Sequence, residues 1–317
     1  MLPLRFARRP GRGLASLAPN SVNPYNVFDK SVKRLQKDRA ALKNNGETSR
    51  TVDYLRDEIA DRLLERFEDI KRKFPKVVDV GSGAGHFTRL LQPETVGSVL
   101  MLESSEKLLH RDSENAFNVP VQRIHADEED LLQVVEPNSM DAAVSCLSLQ
   151  WINDLPGMFV QINRALKPDA PFLGAMFGGE TLFELRTALQ LAQVDREGGI
   201  APHISPLTDT RDVSNLLGRA GFHLLTVDLD EIQVSYPSMW ELMDDLRDMG
   251  EGNAVSGRRS FVHRDTLTAA SAIYKEMHGN EDGTVPATFQ VVFFIGWKQD
   301  PNAPKHVDKK STIPNAL

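Results

Sequence analysis

Val77-Val78-Asp79-Val80-Gly81-Ser82-Gly83-Ala84-Gly85-His86-Phe87 is the stretch from which the rest of the chain is read. A short β-branched run enters a turn with glycine at three alternate positions, and a helical pattern follows. Glycine there permits a sharp turn and lets a ligand approach bare backbone. A helix opening at His86 would also present the unpaired N–H groups of its first turn to an acceptor. The stretch therefore reads as a nucleotide-type cofactor loop at the mouth of a parallel sheet.

Upstream, Val52, Leu55, Ile59, Leu63, Phe67 and Ile70 recur at helical spacing, Pro75 ends that helix, and a first strand is expected over Lys76–Val80. Downstream, His86–Leu91 is expected to be a crossover helix. Ser98–Leu102, Val121–Ile124, Met140–Cys146 and Pro171–Phe177 read as the next four strands, with a helix from Leu155 to Leu166. Strand alternating with helix implies a doubly covered, mostly parallel sheet. Beyond Phe177 the rhythm breaks. Helices are expected over Thr181–Val194, Asp212–Ala220, Met239–Met249 and Asp265–His278, with strands over His223–Leu229 and Thr288–Trp297. The Gly/Pro/His segment Glu197–Pro206 is too long and polar for a plain crossover and reads as an active-site cover.

The chain has 317 residues, 41% hydrophobic and 26% charged, as expected of a globular protein. Its net charge of −7 argues against nucleic acid as a partner. One cysteine, Cys146, excludes an internal disulfide and a cysteine-rich zinc site. No apolar run approaches the roughly eighteen residues of a membrane span. The start is different in kind: Arg5, Arg8, Arg9 and Arg12 interleave with leucines, and no acid precedes Asp29. Residues 1–22 therefore read as a mitochondrial transit peptide, with a disordered basic tail as the alternative. Asn26–Lys43 reads as a basic amphipathic helix with Phe28, Val32 and Leu35 on its apolar side and Lys30, Lys33 and Lys37 among its cations. It could lie on an anionic membrane, cover the cofactor site, or be a solvated face. Residues 299–317 read as a disordered tail.

Three features narrow the cofactor. The spacing Asp79-x-Gly81-x-Gly83-x-Gly85 is not the G-x-G-x-x-G of a dinucleotide pyrophosphate site. Glu103 closes the second strand, where an acid takes both ribose hydroxyls, with Ser104 beside it. Asp127, after Ala126, closes the third strand, where a carboxylate accepts from an adenine amine, and Asp79 suits an amino-acid ammonium. Together with Ser82, these residues describe a site for S-adenosylmethionine.

In this order, with Asp141–Trp151 and Leu166-Lys167-Pro168-Asp169, the motifs resemble the class I S-adenosylmethionine-dependent methyltransferases over Val52–Phe177. The fold implied is α/β and Rossmann-like: a doubly wound, seven-stranded, mostly parallel sheet with an antiparallel last hairpin and helical insertions in the C-terminal half. A narrower resemblance spans Asn23 to Lys298. It rests on Asn26-Val27-Phe28-Asp29, Ser145–Pro156, Gly174–Leu182, Arg196–Gly199, Pro202–Pro206, Leu217–Phe222, Asp230–Val234, Met249-Gly250-Glu251 and His263–Thr266. These segments resemble the mitochondrial NADH dehydrogenase (complex I) assembly factor 5 family. That resemblance implies an arginine hydroxylase acting on an iron–sulfur subunit of complex I, in the matrix and peripheral to the inner membrane. Malonyl-carrier-protein methyltransferases are a more distant likeness. Residues 23–298 are thus expected to form one domain, with a cofactor half at 50–178 and a substrate half at 179–298.

The residues themselves leave the reaction open between arginine hydroxylation, methyl transfer and non-catalytic assembly. A guanidinium prefers carboxylates and aromatic faces, and Glu180, Glu184, Glu197, Glu251, Trp151, Tyr236 and Trp240 are candidates. Glu180, His203 and Trp151 are the candidate catalytic residues. For Glu180 a plain helix-start acid is the alternative, for His203 a loop-fixing hydrogen bond, and for Trp151 a core role. No metal is expected. His125-x-Asp127, with His203 or His263 as third ligand, is the alternative iron site, set against the adenine role of Asp127.

Overall fold

A computed structural model describes residues 26–259 and 261–302. The transit-peptide reading of residues 1–22 and the tail reading beyond residue 302 fall outside the described residues. Seven strands form one sheet in the order β3-β2-β1-β4-β5-β7-β6. They are β1 (Phe74–Val80), β2 (Val96–Glu103), β3 (Val121–His125), β4 (Ala142–Cys146), β5 (Pro171–Phe177), β6 (Phe222–Tyr236) and β7 (Val285–Lys298). β1 to β5 run parallel, and β7 lies antiparallel to both β5 and β6. This is the doubly wound sheet with an antiparallel last hairpin that the sequence implies. The strand order reverses between β1 and β4, so their carboxyl ends open the crevice where such sheets bind ligands.

The longer helices are α1 (Lys30–Leu42), α2 (Tyr54–Glu68), α3 (Leu155–Ala165), α4 (Phe183–Glu197), α5 (Thr210–Arg219), α6 (Met239–Asp248) and α7 (Arg264–His278). On one face of the sheet, α2 buries Leu55, Ile59, Leu63 and Phe67 in a core shared with α4, α6 and α7. On the other face, α3 and α5 bury Met158, Phe159, Ile162, Val213 and Leu217. Each set repeats at three or four residues, which puts it on one side of its helix.

Several expected boundaries move. β1 begins at Phe74 and contains Pro75. Proline is tolerated there because β1 has only β2 beside it at that end, and pairing with β4 starts at Val77. The expected crossover helix over His86–Leu91 is reduced to a single 3-10 turn, Thr88–Leu90. Leu91 is already extended and Pro93 follows, so no longer helix can form before β2. The glycine loop therefore has no helix N-terminus behind it. β6 extends past Leu229 to Tyr236 because its in–out alternation continues against β7. α1 starts at Lys30, capped by Asp29, which accepts from Val32 N.

Candidate cofactor cleft and substrate cavity

Asp79, the second-to-last residue of β1 before the glycine loop, is buried at 1% exposure. Its Oδ2 accepts from Thr88 Oγ1 at 2.7 Å, while Oδ1 is buried with no hydrogen-bond partner among the described residues. Burial, opposed by the Thr88 bond and reinforced by the Glu103 charge, pushes the carboxyl up to about 7. Ser82 Oγ in the loop is likewise buried without a partner. Gly81 has φ +68°, and a Cβ there would meet Ser148 Oγ at 2.0 Å, so only glycine lets the loop pass beside β4. Gly83 and Gly85 also lie at positive φ.

Glu103 closes β2 at 0% exposure. Its carboxylate accepts from Gly83 N at 3.0 Å, Ser105 N at 2.9 Å and Ser104 Oγ at 3.1 Å. Lys37 of α1 spans both oxygens, at 2.8 and 3.1 Å. Burial favours the neutral acid, but the Lys37 charge and these hydrogen bonds outweigh it and hold Glu103 below its ordinary value. Ala126 N donates to the Glu103 carbonyl at 3.2 Å, tying the end of β3 to β2. Asp127 follows, capping a helical turn through Glu129 N and pairing with Lys30 at 2.9 Å. Asp79, Glu103 and Asp127 thus stand at the carboxyl ends of β1, β2 and β3, as expected.

Sequence reading missed which face of α1 covers them. The sequence places Phe28, Val32 and Leu35 on the buried side of α1. Phe28, ahead of the helix, is buried, but Leu35 is 49% exposed, and within α1 Lys33 and Lys37 are buried. Of the three expectations for this segment, cover of the cleft is what the structure shows. Lys33 donates to the Gly250 carbonyl at 2.7 Å, pairs with Glu251 at 3.2 Å and lies over the Trp151 ring. Burial brings its ammonium down to about 7 despite the Glu251 charge. Glu251 also accepts from Arg56 at 2.6 Å and Trp151 Nε1 at 2.8 Å. Burial would raise this acid, but Lys33, Arg56 and Lys37 together keep it low.

Beyond Trp151 and Glu251 opens an apolar cavity of about 420 Å³, walled by Phe177, Leu185, Leu189, Met243, Leu246 and Phe289. Trp151 also lines the cleft of Lys30 and Asp127, and Glu251 also lines the glycine-loop side. Pro202, His203, Ile204 and Ser205 form one wall, so the segment read as a cover lies on the cavity. His203 Nε2 lies 2.9 Å from Gln193 Oε1, which also accepts from Ala201 N at 2.8 Å. That acceptor calls for a proton on Nε2, burial lowers the His203 pKa and so favours the neutral ring, and the bond anchors the loop.

Glu180 is not brought to this place. Its side chain is exposed, and only its backbone is engaged: its N donates to Gln290 Oε1 at 3.2 Å and its carbonyl accepts from Phe183 N at 3.2 Å. Of the other guanidinium candidates, Glu184 is buried against Thr288, Glu197 pairs with Arg259, Tyr236 meets Tyr54, and Trp240 is exposed. The alternative iron site fails on geometry. His125 directs Nε2 at the Ser104 carbonyl, Asp127 is held by Lys30, and His203 sits on Gln193 across the cavity. No group of three His, Cys, Asp or Glu among the described residues is placed to hold a metal. Cys146, at the end of β4, has its thiol pushed up by burial and is not a thiolate.

This sheet, with its acids at consecutive strand ends, defines a protein of the methyltransferase class, and the family model described as a methyltransferase domain matches residues 52–227. A putative methyltransferase from Bacillus halodurans C-125 shares the fold with a TM-score of 0.53 at 14% identity, over 75% of this chain and 99% of its own. The malonyl-[acyl-carrier protein] O-methyltransferase of Laribacter hongkongensis is 31% identical over 85% of this chain and 90% of its own length. The relative named arginine-hydroxylase NDUFAF5, mitochondrial, from Rattus norvegicus is 49% identical over 93% of this chain and 86% of its own. The chain belongs to the NDUFAF5 family within the methyltransferase-domain class.

Proposed function

We propose that this chain is a mitochondrial arginine hydroxylase that binds S-adenosylmethionine and assists complex I assembly by hydroxylating an arginine of an iron–sulfur subunit. Its relatives carry the arginine-hydroxylase and mitochondrial names. The observation that carries the substrate assignment is the position of Glu251 and Trp151 where the cofactor cleft meets the cavity. Glu251 is the one carboxylate in the cavity lining among the described residues. It already accepts a guanidinium, that of Arg56, and Trp151 already carries the Lys33 amine on its face. An incoming arginine meets the same chemistry.

The cofactor assignment rests on Asp79, Gly81, Ser82, Gly83, Gly85, Glu103, Ser104, Ala126 and Asp127. The unpartnered Asp79 Oδ1 fits an ammonium, and Glu103 and Asp127 are bound by amine donors already. When bound, S-adenosylmethionine supplies an electrophilic sulfonium centre. The protein's share is to fix the amino-acid end through Asp79, the ribose through Glu103 and the adenine through Asp127. His203, held by Gln193, is a loop-fixing residue in this reading. Residues 50–178 form the cofactor half and residues 179–298 most of the substrate half. The location is the mitochondrial matrix, against the inner membrane. No helix among the described residues is long and apolar enough to cross a membrane.

Methyl transfer is the second reading, favoured by the family match over residues 52–227. Mass spectrometry of complex I arginines with wild type and with Glu251→Gln separates the two. One added oxygen, lost in the variant, supports hydroxylation. An added methyl overturns it, and no change in either sample leaves only a non-catalytic assembly role.

A further inference from the structure

Lys30, Lys33 and Lys37 fall at steps of three and four, on one face of α1. Each meets a different acid: Asp127 at 2.9 Å, Glu251 at 3.2 Å and Glu103 at 2.8 Å. Two of these acids are assigned above to the cofactor and the third to the substrate arginine. We infer that α1 is an internal competitor: its lysine face occupies the carboxylates that bind cofactor and substrate, and cofactor entry requires α1 to lift from the cleft. This rests on the cofactor reading of Glu103 and Asp127.

Three further observations support the exchange. With α1 in place, the cavity beside Gly81, Gly83 and Glu103 is only about 20 Å³, room for about one water. The cavity beside Asp127 and Ser104 keeps about 210 Å³, but the ribose and amino-acid end have no room beside Glu103 until the helix moves. Second, little apolar surface holds α1 down. Its larger apolar residues Leu35 and Leu42 are 49% and 60% exposed, and within the helix only Ala40 and Ala41 are buried apolar residues. Attachment runs through hydrogen bonds to Gly250, Asn253 and Ser105 and through ion pairs, and a ligand bringing its own donors can replace the ion pairs. A buried carboxylate stripped of its only cation is strongly disfavoured, so Lys37 leaves as the new donors arrive. Third, α1 ends in a hinge. Asn44, Asn45 and Gly46 follow it with φ of 51°, 55° and 85°, three successive left-handed residues where the chain can reverse. At the other end, the helix is latched by the Phe28–Val255 bridge and by Asp29 N on the Ala254 carbonyl at 2.8 Å.

The consequence is a lowered apparent affinity, because only the lifted fraction of molecules binds. Titration calorimetry with S-adenosylmethionine on the full chain tests this with Lys37→Ala, Lys30→Ala and Glu103→Ala. Lys37→Ala is expected to tighten binding about tenfold. Lys30→Ala, on a half-exposed pair that the fold does not need, is expected to tighten it about threefold. Hydrogen exchange on wild type gives an answer even if Lys37→Ala fails to fold: cofactor should speed exchange across residues 30–42 while protecting residues 81–85. Equal or weaker binding by both lysine variants, or protection of residues 30–42 by cofactor, overturns the competition. If Glu103→Ala alone then loses binding, the cofactor reading still stands. No binding by wild type or either lysine variant overturns both.

Discussion

In the proposed cofactor site, Asp79 is the residue whose ionisation decides how the cleft meets a cation. Its carboxyl sits up at about 7 because it is buried, with Glu103 adding to the rise and Thr88 opposing it. An ammonium pairs with the ionised form, so S-adenosylmethionine affinity should rise about fivefold from pH 6 to pH 7, the growth in the ionised fraction of a group with that pKa. Asp79→Asn should flatten the profile, and a profile unchanged in the variant would remove Asp79 from the site. The sign for stability is the reverse. The folded pKa lies above the unfolded one, so this group's contribution is full below about 4 and is lost as pH rises through about 7. Melting curves of the ligand-free protein should therefore fall over that window, relative to Asp79→Asn. Glu103 was readable as an acid at a strand end. Its occupant was not, because lysine is so seldom buried unless paired that Lys37 reads as a solvent-facing residue.

Among the elements, the cover over the cavity is the most open to test. Gln193 of α4 holds both Ala201 N and His203 Nε2. Gln193→Leu keeps the volume and removes both bonds, leaving a buried amide unpaired. A loss of about 1–3 kcal/mol of local stability is expected. It should appear as faster hydrogen exchange over residues 198–206, with exchange in β1 to β5 unchanged. Exchange unchanged over the loop would show that Gln193 does not hold it. Hydrophobic spacing made α2, α3 and α7 legible almost to their ends, because each buries one stripe against the sheet. α1 was legible as a helix but not by its face. The tertiary pairs Lys33–Glu251 and Lys37–Glu103 bridge distant parts of the chain, and periodicity carries no sign of them. The first crossover failed for a local reason, the early extension at Leu91 ahead of Pro93.

At the scale of the molecule, the parallel sheet and the antiparallel hairpin are joined through β5 and β7. Gly174 on β5 faces Phe294 on β7, and a Cβ there would meet Phe294 Cζ at 2.1 Å. Phe294 is packed by Phe159 and Phe172 and has nowhere to retreat. Gly174→Ala should cost about 1–3 kcal/mol of overpacking, read as a fall in thermal midpoint. An unchanged midpoint would mean that the two parts of the sheet are not tightly coupled. Strand alternation and the acids at strand ends made this architecture legible. The reaction was not legible, because a glycine loop with acids at strand ends points to a cofactor without dictating its use. Trp151, His203 and Glu251, which line the cavity, lie in separate segments that only the fold assembles. The most direct measurement is therefore peptide mass spectrometry of the complex I iron–sulfur subunits from mitochondria with and without this protein. An arginine carrying one extra oxygen atom only when the protein is present is the expected result. An arginine carrying a methyl group instead, or no arginine altered, contradicts it.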